Sequence, residues 1–145
     1  CVPRIPAGKR DRMLERWKAI SIQAAKQSRC YLLPTITLPC TFENICKQFQ
    51  RFDAVLMPTP SAAERSITVF SRLQKKLSGG TGCRTTLVLI GPEGGFSDTE
   101  IERAEQAGAV TFALECGILK TDTAMIATVS LMQHLLQPLP VHNSG

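Results

Sequence analysis

The sequence predicts an α/β domain, a parallel sheet with helices on both faces, and three observations predict it. Short apolar runs bounded by turn residues alternate with longer amphipathic stretches, the pattern of repeated strand–helix units. The run Leu87-Val88-Leu89-Ile90 passes directly into the glycine-rich turn Gly91-Pro92-Glu93-Gly94-Gly95 and then into a helix start, with Ser97 followed three residues later by Glu100. A chain of 145 residues that is 43% hydrophobic is also large enough to bury one real core.

Residues 10–29 carry Met13, Trp17, Ile20 and Ala24 at helical spacing, with Arg12, Arg16 and Gln23 along a neighbouring stripe. Trp17 is expected as a core anchor. A short extended segment near 31–33 and a helix near 41–50 follow. A strand over 54–57 ends at Pro58, and a mixed polar helix over 61–77 leaves through Ser78-Gly79-Gly80-Thr81-Gly82. Strand 85–90, helix 98–107 with Gly108 as its stop, strand 109–114 and helix 122–136 complete the chain. In a parallel sheet the ligand crevice lies outside the carboxyl ends of the strands. Met57-Pro58, Gly91–Gly95 and Glu115–Thr121 all fall at such ends, so three loops are expected to converge on one site.

The glycine loop excludes some chemistry. No Gly-Lys-Ser/Thr follows it, so it is not a P-loop, and it does not fit the Gly-x-Gly-x-x-Gly dinucleotide pattern. Three positions without side-chain bulk let a small organic ligand lie against backbone. An ordinary strand-to-helix turn is the plain alternative. Phe96 and Ile101 stand at the staple positions around the helix start. A formal charge of +5 favours an anionic partner without identifying one. The six cysteines, Cys1, Cys30, Cys40, Cys46, Cys83 and Cys116, contain no Cys-x-x-Cys pair, and His134 and His142 lie far from them, so no metal site is expected. Scattered thiols, no visible signal peptide and no apolar stretch long enough for a bilayer predict a cytoplasmic protein, or an organellar one if the source is eukaryotic.

Two motifs in the second half carry a family resemblance: Ile90–Ser97, reading I-G-P-E-G-G-F-S, and Leu114–Ala124, reading L-E-C-G-I-L-K-T-D-T-A. Upstream, Glu15-Arg16-Trp17, Ala24-Ala25-Lys26-Gln27-Ser28 and Leu33-Pro34 agree in order. Together they resemble the small-subunit (16S) rRNA uridine-N3 methyltransferases, within the knotted, SPOUT-like class that uses S-adenosylmethionine. The chain departs from the family pattern at Glu115-Cys116-Gly117, where Gly-Pro-Arg is usual, and at Lys120 and Asp122, which stand for arginine and glutamate. Lysine keeps the charge and loses the bidentate fork.

The resemblance implies a deep C-terminal trefoil knot, a homodimer, and residues 1–145 as the methyltransferase domain, with the family's N-terminal PUA-like RNA-binding barrel outside them. It implies cofactor contacts, largely through backbone, from Leu56, Met57, Gly91, Gly94, Leu114, Cys116, Gly117, Ile118 and Leu119, with Thr123 near the methionine end. The substrate would be ribosomal RNA or the small subunit. Arg12, Arg16, Arg29 and Lys120 are the candidates for its phosphates, a solvated face being the alternative for the first two. Glu93 is the candidate for handling the uridine N3 proton, or else for fixing its own loop by accepting backbone N–H bonds. Two rivals stay open: a knotted RNA-binding or assembly protein that has lost turnover, and a related methyltransferase acting on another RNA atom.

Overall fold

The computed structural model describes residues 7–29, 33–78, 85–114 and 119–135. The chain divides into two compact units, Cys1–Phe42 and Glu43–Gly145. In the first, helix α1 (Ala7–Ser28) is closed by Arg29 in the left-handed conformation, φ 52°, a common way to end a helix. Residues 33–41 are irregular, while Tyr31 and Leu32 of the predicted extended segment lie outside the described residues.

The second unit holds a three-stranded parallel sheet in the order β2-β1-β3, from β1 (Ala54–Pro58), β2 (Thr86–Val88) and β3 (Val110–Phe112). Leu56 is in register with Val88 on one side and Val110 on the other. Ala54, Val55, Leu56 and Met57 are all buried, as a central parallel strand covered on both faces requires. One face packs Leu56 and Phe112 against Val69, Phe70 and Leu73 of α3 (Ser66–Ser78), with Leu131 and Met132 of α5 (Thr121–Leu135) against the same cluster. The other face meets α4 (Asp98–Gln106). Thr111 alternates away from Val110 and Phe112, and its hydroxyl donates to Glu105 Oε1 at 2.6 Å. Behind the sheet, Asp53 Oδ2 accepts from the Thr85 N–H at 2.9 Å and hydroxyl at 3.0 Å, while the Thr85 carbonyl accepts the Asp53 N–H at 2.9 Å. This clamp ties the entry of β1 to the entry of β2.

Several expectations need correction. The helix expected over 41–50 is instead α2 (Phe42–Cys46) followed by a separate 3-10 turn at Phe49–Arg51. The helix expected from residue 61 begins at Ser66. Ala113 N–H donates to Glu64 O at 2.8 Å and Ser66 N–H to Ala113 O at 2.9 Å, so residues 64–66 extend the sheet through an Arg65–Ala113 bridge before they can coil. The strand expected over 85–90 is β2 over Thr86–Val88, and that over 109–114 is β3 over Val110–Phe112, because β2 is in register with the first half of β1 and β3 with the second. Trp17 is half-buried rather than a core anchor, and Ile20 of its stripe is 54% exposed. Among the described residues of that unit α1 is the one long helix, and no second layer covers its apolar stripe there.

Thr128 of α5 is fully buried, and among the described residues its hydroxyl has no hydrogen-bond partner. An unpaired buried hydroxyl is costly and valine matches threonine in shape. Thr128→Val is therefore expected to raise unfolding free energy by about 1 kcal/mol in urea titration.

Candidate functional site

The parallel sheet brings the exits of its three strands to one edge, and a cleft of about 390 Å³ opens there. Its walls come from Pro58–Ser61 after β1, Ile90–Phe96 with Asp98 after β2, Leu114 after β3, and Leu119, Thr121 and Ala124 around the start of α5. The volume falls within the range of small-molecule sites, roughly 300–1,000 Å³. The wall mixes apolar side chains and glycine backbone with the polar groups of Thr59, Ser61, Glu93, Asp98 and Thr121, a composition usual for small-molecule sites.

Local sequence explains the walls. Pro92 O accepts the Gly95 N–H at 2.8 Å and closes a tight turn, after which Gly95 takes φ 70°, a conformation that suits glycine. At Gly91 a Cβ would stand 3.2 Å from the Phe96 ring, so the ring lies directly on the backbone there. Ser97 then caps α4. Its side chain accepts from the Glu100 N–H, and its own N–H donates to Glu100 Oε2 at 2.9 Å, completing the capping box read from the sequence. That Ser97 backbone bond is the main reason the Glu100 carboxyl is held below the ordinary glutamate range, against a smaller opposing effect of burial. A group with a lowered folded pKa contributes stability above its unfolded value, about 4.3, which is lost as pH falls through the folded value. Glu100→Gln is accordingly expected to be less stable than wild type at pH 7 in urea melts, with the gap closing on acidification below about pH 4. Ser97→Ala should cost about 1 kcal/mol at neutral pH.

The sequence-predicted residues divide clearly. Gly91, Gly94, Leu114 and Leu119 line the cleft. Leu56 and Met57 lie one step inside it, fully buried within β1, because the strand runs on to Pro58. Thr123 is exposed on α5 and Thr121 takes the wall position instead. Cys116, Gly117 and Ile118 lie outside the described residues. Glu93 is exposed at the wall, and among the described residues its carboxylate has no hydrogen-bond or ion-pair partner, so it does not brace its own loop. Lys120 is exposed beside the cleft, its carbonyl accepting the Ala124 N–H at 2.8 Å. Arg12, Arg16 and Arg29 are exposed on the first unit.

Two contributors were not singled out from the sequence, Thr121 having been read only as the last residue of the loop Glu115–Thr121. Thr121 donates its hydroxyl to the Gly91 carbonyl at 3.0 Å, a bond across 30 residues. Thr59, 6% exposed, is seated by donating its N–H to Phe112 O at 2.9 Å and pairs its hydroxyl with Ser61 Oγ at 3.2 Å. Their only sequence signal was position at a strand or helix end. Cys40 is exposed and Cys46 half-buried, both as free thiols, and burial pushes the Cys46 thiol up despite the nearby Arg103. Among the described residues no cluster of three or more His, Cys, Asp or Glu side chains is placed to hold a metal ion, and no helix is long and apolar enough to cross a membrane.

Comparison with known proteins gives a consistent picture. Residues 1–133 match the model of the RNA methyltransferase domain family. The chain is 32% identical over 120 residues to ribosomal RNA small subunit methyltransferase E of Mesomycoplasma hyopneumoniae, covering 83% of this chain and 48% of that protein. It is 31% identical over 121 residues to the enzyme of that name from Bacillus subtilis, covering 83% and 46%. The chain thus spans about half the length of the curated relatives it matches. The crystal structure of a ribosomal RNA small subunit methyltransferase E from Neisseria gonorrhoeae bound to S-adenosyl methionine superposes with a TM-score of 0.71, covering 91% of this chain and 51% of that one. At 24% identity that likeness bears on the fold.

Proposed function

The chain belongs to the RNA methyltransferase domain family, and from that premise we propose that it is the methyl-transfer domain of an S-adenosylmethionine-dependent enzyme modifying N3 of a uridine in small-subunit ribosomal RNA. The observation that carries the reading is the cleft at the strand exits, walled by Gly91, Gly94, Leu114 and Leu119, where a resemblance read from sequence alone had put the cofactor. S-adenosylmethionine, when bound, supplies a methyl group already activated on a sulfonium sulfur.

The protein's task is then alignment and proton handling. Holding donor and acceptor in attack geometry is worth about 7–11 kcal/mol of barrier. Gly91 and Gly94 bring backbone close to the ligand, and Ile90, Phe96, Leu114 and Leu119 provide its apolar walls. Backbone of Leu56 and Met57 lies behind this wall. Cofactor contacts from Cys116, Gly117, Ile118 and Thr123 enter this reading through the family resemblance alone. Uridine N3 carries a proton that must leave before or during attack, and Glu93, exposed at the cleft wall, presents a carboxylate to accept it. N3 lies on the pairing edge, so the base must be unpaired or flipped out to reach the cleft. Lys120, an exposed cation beside the cleft, would hold a flanking phosphate, and Arg12, Arg16 and Arg29, exposed on the first unit, are the candidates for RNA phosphates there.

The same reading includes a knot, a dimer and a separate RNA-binding barrel. The Thr121–Gly91 bond holds the start of α5 against the loop after β2, in keeping with a C-terminal segment that passes that loop. Met125, Ile126 and Val129 leave apolar surface open along α5, at 49%, 63% and 40% exposure, in keeping with a helix that packs on a second copy. The half-length match to the relatives is in keeping with a PUA-like barrel outside this chain.

The test is methyl transfer from radiolabelled S-adenosylmethionine to unmodified small subunits, with nucleoside mass spectrometry of the product. N3-methyluridine is expected. Ribose methylation would move the chain to another activity of the class, and cofactor binding without transfer would make it an RNA-binding relative without turnover.

A further inference from the structure

We infer that Thr121 is a positioning residue of the cleft, whose hydroxyl sets the direction of the Gly91–Pro92 peptide and thereby holds the glycine loop ready for the cofactor. The inference rests on reading this cleft as the S-adenosylmethionine site. Pro92 has no N–H, so the peptide joining it to Gly91 has a single polar atom, the Gly91 carbonyl oxygen. That oxygen accepts the Thr121 hydroxyl at 3.0 Å, in a half-buried setting. On the other side the Phe96 ring lies where a Gly91 side chain would begin. A backbone unit with glycine's freedom is therefore fixed between one ring and one hydroxyl.

Nothing local requires a hydroxyl at position 121. In the first turn of α5 the Asp122 side chain already accepts the Thr123 N–H at 2.8 Å, which serves the helix end. The Thr121 hydroxyl reaches instead across 30 residues, and both segments it joins are cleft walls. Without the bond the loop after β2 and the start of α5 can move apart, and a ligand that touches both must order them as it binds. Binding weakens by that ordering cost.

The experiment compares wild type, Thr121→Val and Thr121→Ser by calorimetric titration with S-adenosylmethionine and with S-adenosylhomocysteine, alongside thermal melts without ligand. Thr121→Val keeps the shape and removes the donor, and it is expected to bind both ligands about tenfold more weakly. Thr121→Ser keeps the donor and is expected to bind within about twofold of wild type. Melting temperatures of both variants should stay within roughly 5 °C of wild type. Wild-type affinity in Thr121→Val overturns the inference, as does a serine variant as weak as the valine one, since shape rather than the hydroxyl would then matter. Absence of binding by wild type itself overturns the cofactor reading, and the positioning role with it.

Discussion

Replacing Gly94 with tryptophan is expected to abolish S-adenosylmethionine binding while leaving the fold intact. Gly94 lines the cleft, yet a Cβ built on it meets no atom within 4 Å, and its φ is not in the left-handed region. A large side chain therefore has room to exist, and at a residue of the cleft wall it is expected to compete with the ligand. A cleft of about 390 Å³ has little to spare for an indole. The dissociation constant should rise at least about 100-fold, equivalent to roughly 2.7 kcal/mol, in calorimetric titration. The melting temperature should move by no more than about 3 °C. Gly95→Ala is the informative contrast. It places a side chain at φ 70°, so it should cost about 1 kcal/mol of stability without blocking the cleft. Wild-type affinity in Gly94→Trp would mean that the cofactor binds elsewhere.

That contrast also marks what could be read from sequence. The strand, the glycine loop and the capped α4 were legible because each is decided within a few residues: Ser97 and Glu100 recognise one another three positions apart. The strand exits were legible as a group, since alternating elements imply a parallel sheet and a parallel sheet puts its exits on one edge. What escaped depends on long-range pairing. The start of α3 was misplaced by five residues because Arg65 bridges to Ala113, far along the chain. Leu56 and Met57 lie behind the cleft wall, a placement hidden in the sequence because the last residue of β1 is decided by β3, where Pro58 stands beside Phe112. Thr121 was read only as the end of the third converging loop, and its bond to Gly91 escaped for the same reason, the partner lying 30 residues upstream. Trp17 failed differently. Periodicity reports that a helix has an apolar stripe and says nothing of what will cover it.

Phe112→Ala is expected to destabilise the chain by about 3–5 kcal/mol, the usual cost of deleting a buried phenylalanine. Phe112 is fully buried, and its ring meets Phe70 edge to face, with centroids 5.4 Å apart at 76°. Leu56, Val69 and Leu73 complete the cluster, so the cavity would open where β3 and α3 meet. Against a total stability of about 5–15 kcal/mol for a domain, this is a large share. The midpoint of thermal unfolding should fall by roughly 10–20 °C. Phe112→Leu refills most of the volume and should recover more than half of the loss, since conservative apolar exchanges usually cost less than about 1.5 kcal/mol. The site should suffer as well, because the Phe112 carbonyl accepts the Thr59 N–H at 2.9 Å and Thr59 forms part of the cleft wall. Ligand binding by Phe112→Ala should therefore weaken in step with its stability and return when the melt is suppressed by cooling. Gly94→Trp should stay blind at every temperature. A blocked cleft loses affinity at constant stability, whereas a hollowed core loses both together, and measuring the two variants side by side across temperature separates the chemistry of the loop from the packing that holds it in place.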